Sequence, residues 1–328
     1  MIPLRAPLRS ARTGVLLLNL GGPDSLDAVE PFLVNLFNDP FLIRLPLRGW
    51  LRRKFAEWVA RRRAPHVRTL YAEIGGRSPI EPITRKQAER LQAELGPSYR
   101  CYVAFSAWTP YIREAVAQAQ TDGCERLVGV SLFPQWCSAT TASVMHDLHA
   151  EASERGLPVV EVDRYPDDPT YLDALASTVH EGLFRFPAAE REGVHVVFSA
   201  HGVPVSIIKK GDPYEREIQR TVQGVVARLP PGQPWSLSYQ SKVGPVKWLE
   251  PATIDHLPAL AAQGVSRVLV VPVAFVSEHI ETLHEQRILL RGVAQAAGIA
   301  RYEVANALND CTLYAQALAR LVRAAEAR

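Results

Sequence analysis

Cysteine is scarce. Four residues, Cys101, Cys124, Cys137 and Cys311, are scattered through 328, and no two form a CxxC pair. That spacing argues against a disulfide framework and for a reducing, cytoplasmic compartment. Long hydrophobic runs are missing too: nothing approaches the ~20 consecutive apolar residues that a helical membrane span needs. The opening residues, MIPLRAPLRSARTGVLLLNLGG, imitate a secretory leader, but the apolar stretch 15–18 is too short and runs into a Gly-Gly-Pro turn. They read as a ragged tail before a first strand. Charge of either sign is not in large excess: the net is +3, so no nucleic-acid partner is expected. There is no GxGxxG, no GxxxxGK[ST] and no HExxH, since His284-Glu285 is followed by Ile288 where a second histidine would stand. Nucleotide binding and zinc-protease chemistry lose their usual signatures. Exact repeats and low-complexity tracts are also absent.

What is present is an alternation. Short apolar runs at 15–20, 101–106, 126–132, 159–165, 195–201, 235–241, 267–275 and 301–307 are separated by amphipathic stretches such as 110–122, 139–155, 169–186, 213–229, 251–263, 280–297 and 311–327. Most of the short runs are apolar on both faces, as strands of a parallel sheet covered by helices would be. The class is therefore α/β with parallel sheets. The Pro- and Asp-rich DRYPDDPTY (163–171) suggests a boundary between two similar α/β halves, 1–165 and 166–328, with a cleft between them. In GDPYERE, Asp212 reads as a helix N-cap, with Pro213 at the first helical position and Glu215 at N3.

Ligands of parallel α/β sheets bind beyond the carboxyl ends of the strands. Three strands end in suggestive residues. In VHVVFSAHGVP, His201 closes an apolar run and enters a Gly/Pro turn; it could act as general base, bind metal or simply hydrogen-bond the turn. In VLVVPVAFVSEHIETLHEQR, an apolar run meets Glu278, His279, Glu281, His284 and Glu285. A helix starting near 277–278 would place Glu278, Glu281 and Glu285 on one face, with His279 in the preceding turn. Favourable interaction with the helix dipole explains one or two such acids, not three with two histidines. In LLLNLGGPDS, the Gly-Gly-Pro turn allows close backbone approach to a ligand. Separately, residues 44–68 hold nine Lys or Arg and one acid, Glu57, with Leu47, Leu51, Phe55, Trp58 and Val59 at helical spacing. This is either an amphipathic helix with a solvated face, or a surface for a flat apolar ligand bearing carboxylates or for an anionic membrane.

Six motifs in order, LNLGGP, RRRAPHVRTLYAEIGGRSPI, LFPQWCSATTAS, VVFSAHGVP with KKGDPYEREIQRTV, SYQSKVGPVKWLEP, and VPVAFVSEHIETLHE, give the chain a resemblance to ferrochelatases over nearly its whole length. These enzymes insert Fe²⁺ into a porphyrin. The resemblance implies two Rossmann-like halves around a cleft. It implies that His201 and Glu281 face the metal, with His279, Glu285 and Glu278 on the polar side of the cleft. Arg62, Arg63 and Ser78 would lie near the porphyrin carboxylates with Tyr71 close by, and Trp248, Phe275 and Leu20 would pack on the macrocycle. Segment 40–60 would form an apolar lip, which offers a peripheral membrane contact. Fe²⁺ enters as substrate and no cofactor is required. Some members carry an iron–sulfur cluster. Here the last helix has no cysteine-rich extension and Cys137 is offset by one from the internal cluster position, so no cluster is expected. FSAW (105–108) and His284 depart from commoner residues, and Leu20 leans toward protoporphyrin IX over coproporphyrin III. The oligomeric state is not readable. Rival readings are a chelatase for another tetrapyrrole or metal, such as sirohydrochlorin with cobalt, and a non-catalytic haem or metal carrier.

The chemistry suits those residues. Metallation removes two pyrrole N–H protons, which asks for a base titrating near neutrality. One imidazole and one carboxylate make a modest mixed site that can release Fe²⁺.

Overall fold

The computed structural model describes residues 12–43, 47–242 and 244–327. The N-terminal tail, the part of the lip and basic stretch at 44–46, and Val243 of the SYQSKVGP motif lie outside the described residues.

The eight apolar runs all form strands: β1 (Arg12–Asn19), β2 (Tyr99–Phe105), β3 (Cys124–Ser131), β4 (Val159–Val162), β5 (His195–His201), β6 (Trp235–Gln240), β7 (Arg267–Pro272) and β8 (Arg301–Val304). They make two parallel four-stranded sheets, ordered β2-β1-β3-β4 and β6-β5-β7-β8. Both orders are the same permutation. The fold is α/β, as the alternation predicts.

Double-sided burial explains the strand composition. In β1, Val15 and Leu17 point into one core cluster while Leu16 and Leu18 point into another. In β7, Leu269 and Val271 join the cluster of Val15, whereas Val268 and Val270 pack on the far side. With side chains alternating across each strand, both faces must be apolar. The cluster shared by Val15 and Leu269 runs continuously between the two sheets. β7 is shorter than its apolar run. Its last paired residue is Pro272, which has no N–H to continue a ladder.

Helices in the first half are α1 (Val29–Asn38), α2 (Gly49–Glu73), α3 (Ile80–Leu95), α4 (Ile112–Thr121) and α5 (Thr141–Glu154). Then follow α6 (Pro169–Phe184), α7 (Val205–Ile208), α8 (Tyr214–Val226), α9 (Thr253–Ala262), α10 (Leu290–Ala296) and α11 (Thr312–Glu326). Residues 49–68 of the basic stretch lie in one 25-residue helix, α2. α11 crosses back onto the first half: Glu326 meets Tyr99 Oη at 2.5 Å, Thr13 Oγ1 at 2.9 Å and Arg126 at 3.2 Å. The loop after β3 is latched to α8, with Trp136 N–H donating to Glu217 at 2.6 Å and Ser138 N–H to Asp212 at 2.8 Å. No helix among the described residues is long and apolar enough to cross a membrane.

Two local readings are corrected. Helix α8 starts at Tyr214, so Asp212 lies one residue before the cap position. Its carboxylate still accepts from Tyr214 N–H at 3.0 Å, and its other oxygen is spent on Ser138. The acid-rich helix is not uniformly α: Glu281–Leu289 is a π-helix that passes into α10. Long π segments are rare and concentrate at functional sites.

Candidate active site

The site forms where β5 and the π-helix meet. β5 delivers His201 as its last residue. The next residue, Gly202, lies against β6; a Cβ there would fall 2.7 Å from the Gln240 carbonyl oxygen. Only glycine lets the chain turn this tightly, so Gly202 sets the height of His201. Tyr214 Oη fixes it from behind by donating to the His201 carbonyl at 2.9 Å.

Across the gap, His201 Nδ1 lies 2.8 Å from Glu281 Oε2. Their side chains are 37% and 28% exposed, so the pair is reachable from solvent. His279 Nε2 is 3.8 Å from the same oxygen, and its Nδ1 is 3.2 Å from the Ser277 carbonyl oxygen. Phe275 stacks obliquely on His279, centroids 4.4 Å apart, and meets His201 edge-on at 6.1 Å. Burial alone would lower the His201 pKa, but the Glu281 charge and hydrogen bond outweigh it and the pKa rises. Burial would raise that of Glu281; His201 and His279 reverse this and hold the carboxyl well below its usual range. Each group thus favours the charged form of the other.

Glu285 sits one wide turn along the π-helix. It accepts from Ser241 N–H at 2.8 Å, Ser241 Oγ at 2.6 Å and Gln240 Nε2 at 3.2 Å. Burial and the nearby Glu281 charge push its pKa up despite those donors. Beneath lies a buried polar network: Gln240 Oε1 accepts from Ser199 Oγ at 2.8 Å and from Gln286 Nε2, and Thr253 links Ser199 to Ser238 at 3.0 and 2.9 Å.

Glu278 is corrected. The helix begins at Ile280, not 277–278, and Glu278 turns away from the pair. It is buried and bonded to Arg287 at 2.9 Å, Ala307 N–H at 3.2 Å and Thr282. It supports the loop and does not join the polar line of the cleft. His284 is likewise committed, to Glu73 of α2 at 3.1 Å.

The other candidates spread over both halves. Trp248 flanks the His201 turn, its ring 3.4 Å from where a Gly202 Cβ would sit. Tyr71, near the C-terminus of α2, is buried; burial and then the Glu281 charge raise its pKa, so that end of α2 feels the site. Arg62 and Arg63 are exposed two to three turns earlier on α2, about 12–14 Å along its axis. Arg62 lies over Trp58 at 5.3 Å and Arg63 over Phe37 at 5.7 Å. Leu20 is half-buried at the end of β1. Ser78 is buried, and a Cβ on Gly22 would come 2.5 Å from its Oγ, so the Gly-Gly turn exists to admit Ser78.

Reasoning from sequence missed Gln240, Ser241, Ser199, Thr253 and Tyr214. Their signal was polarity: serine and glutamine inside runs otherwise built for burial. Among the described residues no group of three or more His, Cys, Asp or Glu side chains is placed to hold a metal ion.

The ferrochelatase family model matches residues 12–326. Relatives named ferrochelatase include that of Geobacter metallireducens, 45% identical over 319 residues, covering 96% of this chain and 99% of the relative. That of Trichormus variabilis is 43% identical over 95% of this chain and 81% of the relative. Among solved structures, SirB from Bacillus subtilis with Fe³⁺ superposes with a TM-score of 0.57 at 12% identity over 95% of this chain and 94% of that one. At that identity the likeness speaks for the fold alone.

Proposed function

The chain belongs to the ferrochelatase family and inserts Fe²⁺ into a porphyrin as a lyase of haem biosynthesis; we propose that His201 and Glu281 form its metal-facing pair and that protoporphyrin IX is its porphyrin. The observation that carries this reading is the 2.8 Å contact between His201 Nδ1 and Glu281 Oε2, made at a strand's carboxyl end by residues 80 apart in sequence.

The steps follow from the charges. At rest, the proton on His201 is stabilised by Glu281. An incoming Fe²⁺ competes with that proton for the imidazole and the carboxylate, and binds as it leaves. One nitrogen and one oxygen donor hold a divalent ion loosely enough to pass it on. As Fe²⁺ moves to the macrocycle, the freed imidazole accepts one of the two pyrrole protons and the other passes to Glu285. His279 lends positive character beside Glu281, and Glu285 offers a further acceptor along the π-helix. Phe275, Trp248 and Leu20 supply apolar surface for the macrocycle. Tyr71, Ser78, Arg62 and Arg63 serve its carboxylate side. The enzyme works in the cytoplasm, and α2 touches a membrane surface: Trp50, Leu51 and Trp58 are 72%, 48% and 56% exposed among arginines.

The test is anaerobic metal insertion with Fe²⁺ and Zn²⁺, followed by porphyrin absorbance, using protoporphyrin IX and coproporphyrin III in parallel. Faster turnover of protoporphyrin IX is expected. Preference for coproporphyrin III would overturn the substrate assignment, and tight haem binding without turnover would favour a carrier. Sedimentation with anionic vesicles, lost in the Trp50→Ser/Trp58→Ser variant, tests the membrane contact.

A further inference from the structure

We propose that Ser241 is a positioning residue that masks Glu285 and so leaves Glu281 as the carboxylate open to the cation. The inference rests on the assignment of His201 and Glu281 as the metal-facing pair.

Ser241 directly follows β6 and has φ = +66°, one of two non-glycine residues among those described with positive φ. L side chains avoid this region unless the surroundings impose it. Here the conformation points two donors of one residue at one carboxylate: the N–H meets Glu285 Oε1 at 2.8 Å and Oγ meets Glu285 Oε2 at 2.6 Å. Gln240 Nε2 adds a third at 3.2 Å. The same Ser241 Oγ is also 3.2 Å from Glu281 Oε2, the oxygen that faces His201.

A hydroxyl carries one proton. The shorter contact takes the larger share of it, so Ser241 donates mainly to Glu285 and only weakly to Glu281. Three of the roughly four acceptor positions of Glu285 are thereby occupied, while Glu281 Oε2 stays available to His201 or a metal ion. Two carboxylates one helical turn apart would otherwise compete for Fe²⁺, and an ion held by both would leave more slowly for the macrocycle. Ser241 thus separates a carboxylate that transfers metal from a carboxylate that must not trap it. The π-helix contributes by bringing Glu281 and Glu285 to the same hydroxyl.

The test compares Ser241→Gly with Ser241→Asn in the full chain, using Zn²⁺ and porphyrin as probes. Glycine accepts positive φ and keeps the N–H, so it removes only the hydroxyl and the melting temperature should hold. The kcat should fall about 10- to 100-fold, the usual cost of disturbing the surroundings of a metal site, because an ion shared by both carboxylates leaves slowly for the macrocycle. The KM for Zn²⁺ should fall with it, because Glu285 is unmasked, and the porphyrin KM should not change. Asparagine also tolerates positive φ and returns a donor, so it should recover part of kcat. The inference is overturned if the glycine variant turns over within twofold of the parent, if its Zn²⁺ KM rises, or if asparagine is no better than glycine. A parent protein that inserts no metal would instead defeat the functional reading. Loss of turnover in His201→Ala with full turnover in Ser241→Gly would defeat this inference alone.

Discussion

The two halves share a strand permutation but not a chemistry. β1 and β5 are equivalent central strands, and each is followed by a glycine that permits a close approach. After β1, Gly22 admits the side chain of Ser78; after β5, Gly202 admits the backbone of β6. Yet β1 ends in Asn19 and Leu20, whereas β5 ends in His201. β3 runs into a loop spent on latching α8, whereas β7 runs into Phe275, His279 and the π-helix. One half has used its strand ends for structure and for an apolar, arginine-bearing lip. The other has used the same positions for titrating groups. The fold supplies the positions, and side chains alone distinguish the two halves.

That division can be broken from the reactive side first. His201→Ala should lower kcat by about 10²–10⁴, the usual worth of a general base, while porphyrin binding, followed by fluorescence, survives. Glu281→Gln should cost on the order of 10², as loss of one preorganised charge does. It should also move the pH profile. Glu281 raises the His201 pKa, so in the parent the acidic limb of kcat/KM lies above the free-histidine value, and activity grows as pH rises through it. Removing the negative charge stabilises neutral imidazole, so the limb should shift to lower pH. A limb that stays put would mean that another group controls it. Next comes Gly202→Ala. Its Cβ would sit 2.7 Å from a backbone oxygen, so thermal unfolding should show a loss of roughly 1–3 kcal/mol together with reduced turnover. Gly244→Ala, where a Cβ meets nothing within 4 Å although φ is +72°, is the control that carries backbone strain without the clash.

The comparison also shows what a sequence discloses. All eight strands were legible because double-sided burial leaves uninterrupted apolar runs, and the runs of β5 and β7 pointed to the candidate site, one by ending in His201 and the other by leading toward a cluster of acids. Residue roles within that cluster were less legible. Glu278, Glu281 and Glu285 look equivalent at α-helical spacing. The chain becomes helical only at Ile280 and then widens into a π-helix, so Glu278 falls to Arg287 while the other two face Ser241. Helix width depends on tertiary packing, which has no periodic signature. Gln240 and Ser241 were hidden for a different reason. Their importance lies in a φ of +66° and in partners more than 40 residues away, and serine is a residue from which neither is expected.

The smallest effect tests the other half. Arg62 and Arg63 are exposed and lie over Trp58 and Phe37, two to three turns before Tyr71 on α2. If the first half only holds the substrate, the Arg62→Ala/Arg63→Ala variant should leave kcat unchanged and raise the porphyrin KM roughly 2- to 30-fold, at about 0.2–1 kcal/mol for each exposed charge contact. Salt decides whether the arginines act as charges. In the parent, the KM should climb as ionic strength rises and the Debye length falls below ~10 Å, and in the variant that slope should flatten. A KM that rises in the variant with the slope intact would assign the two arginines to packing, through the rings they cover. A fall in kcat would mean that the two halves share the chemistry after all.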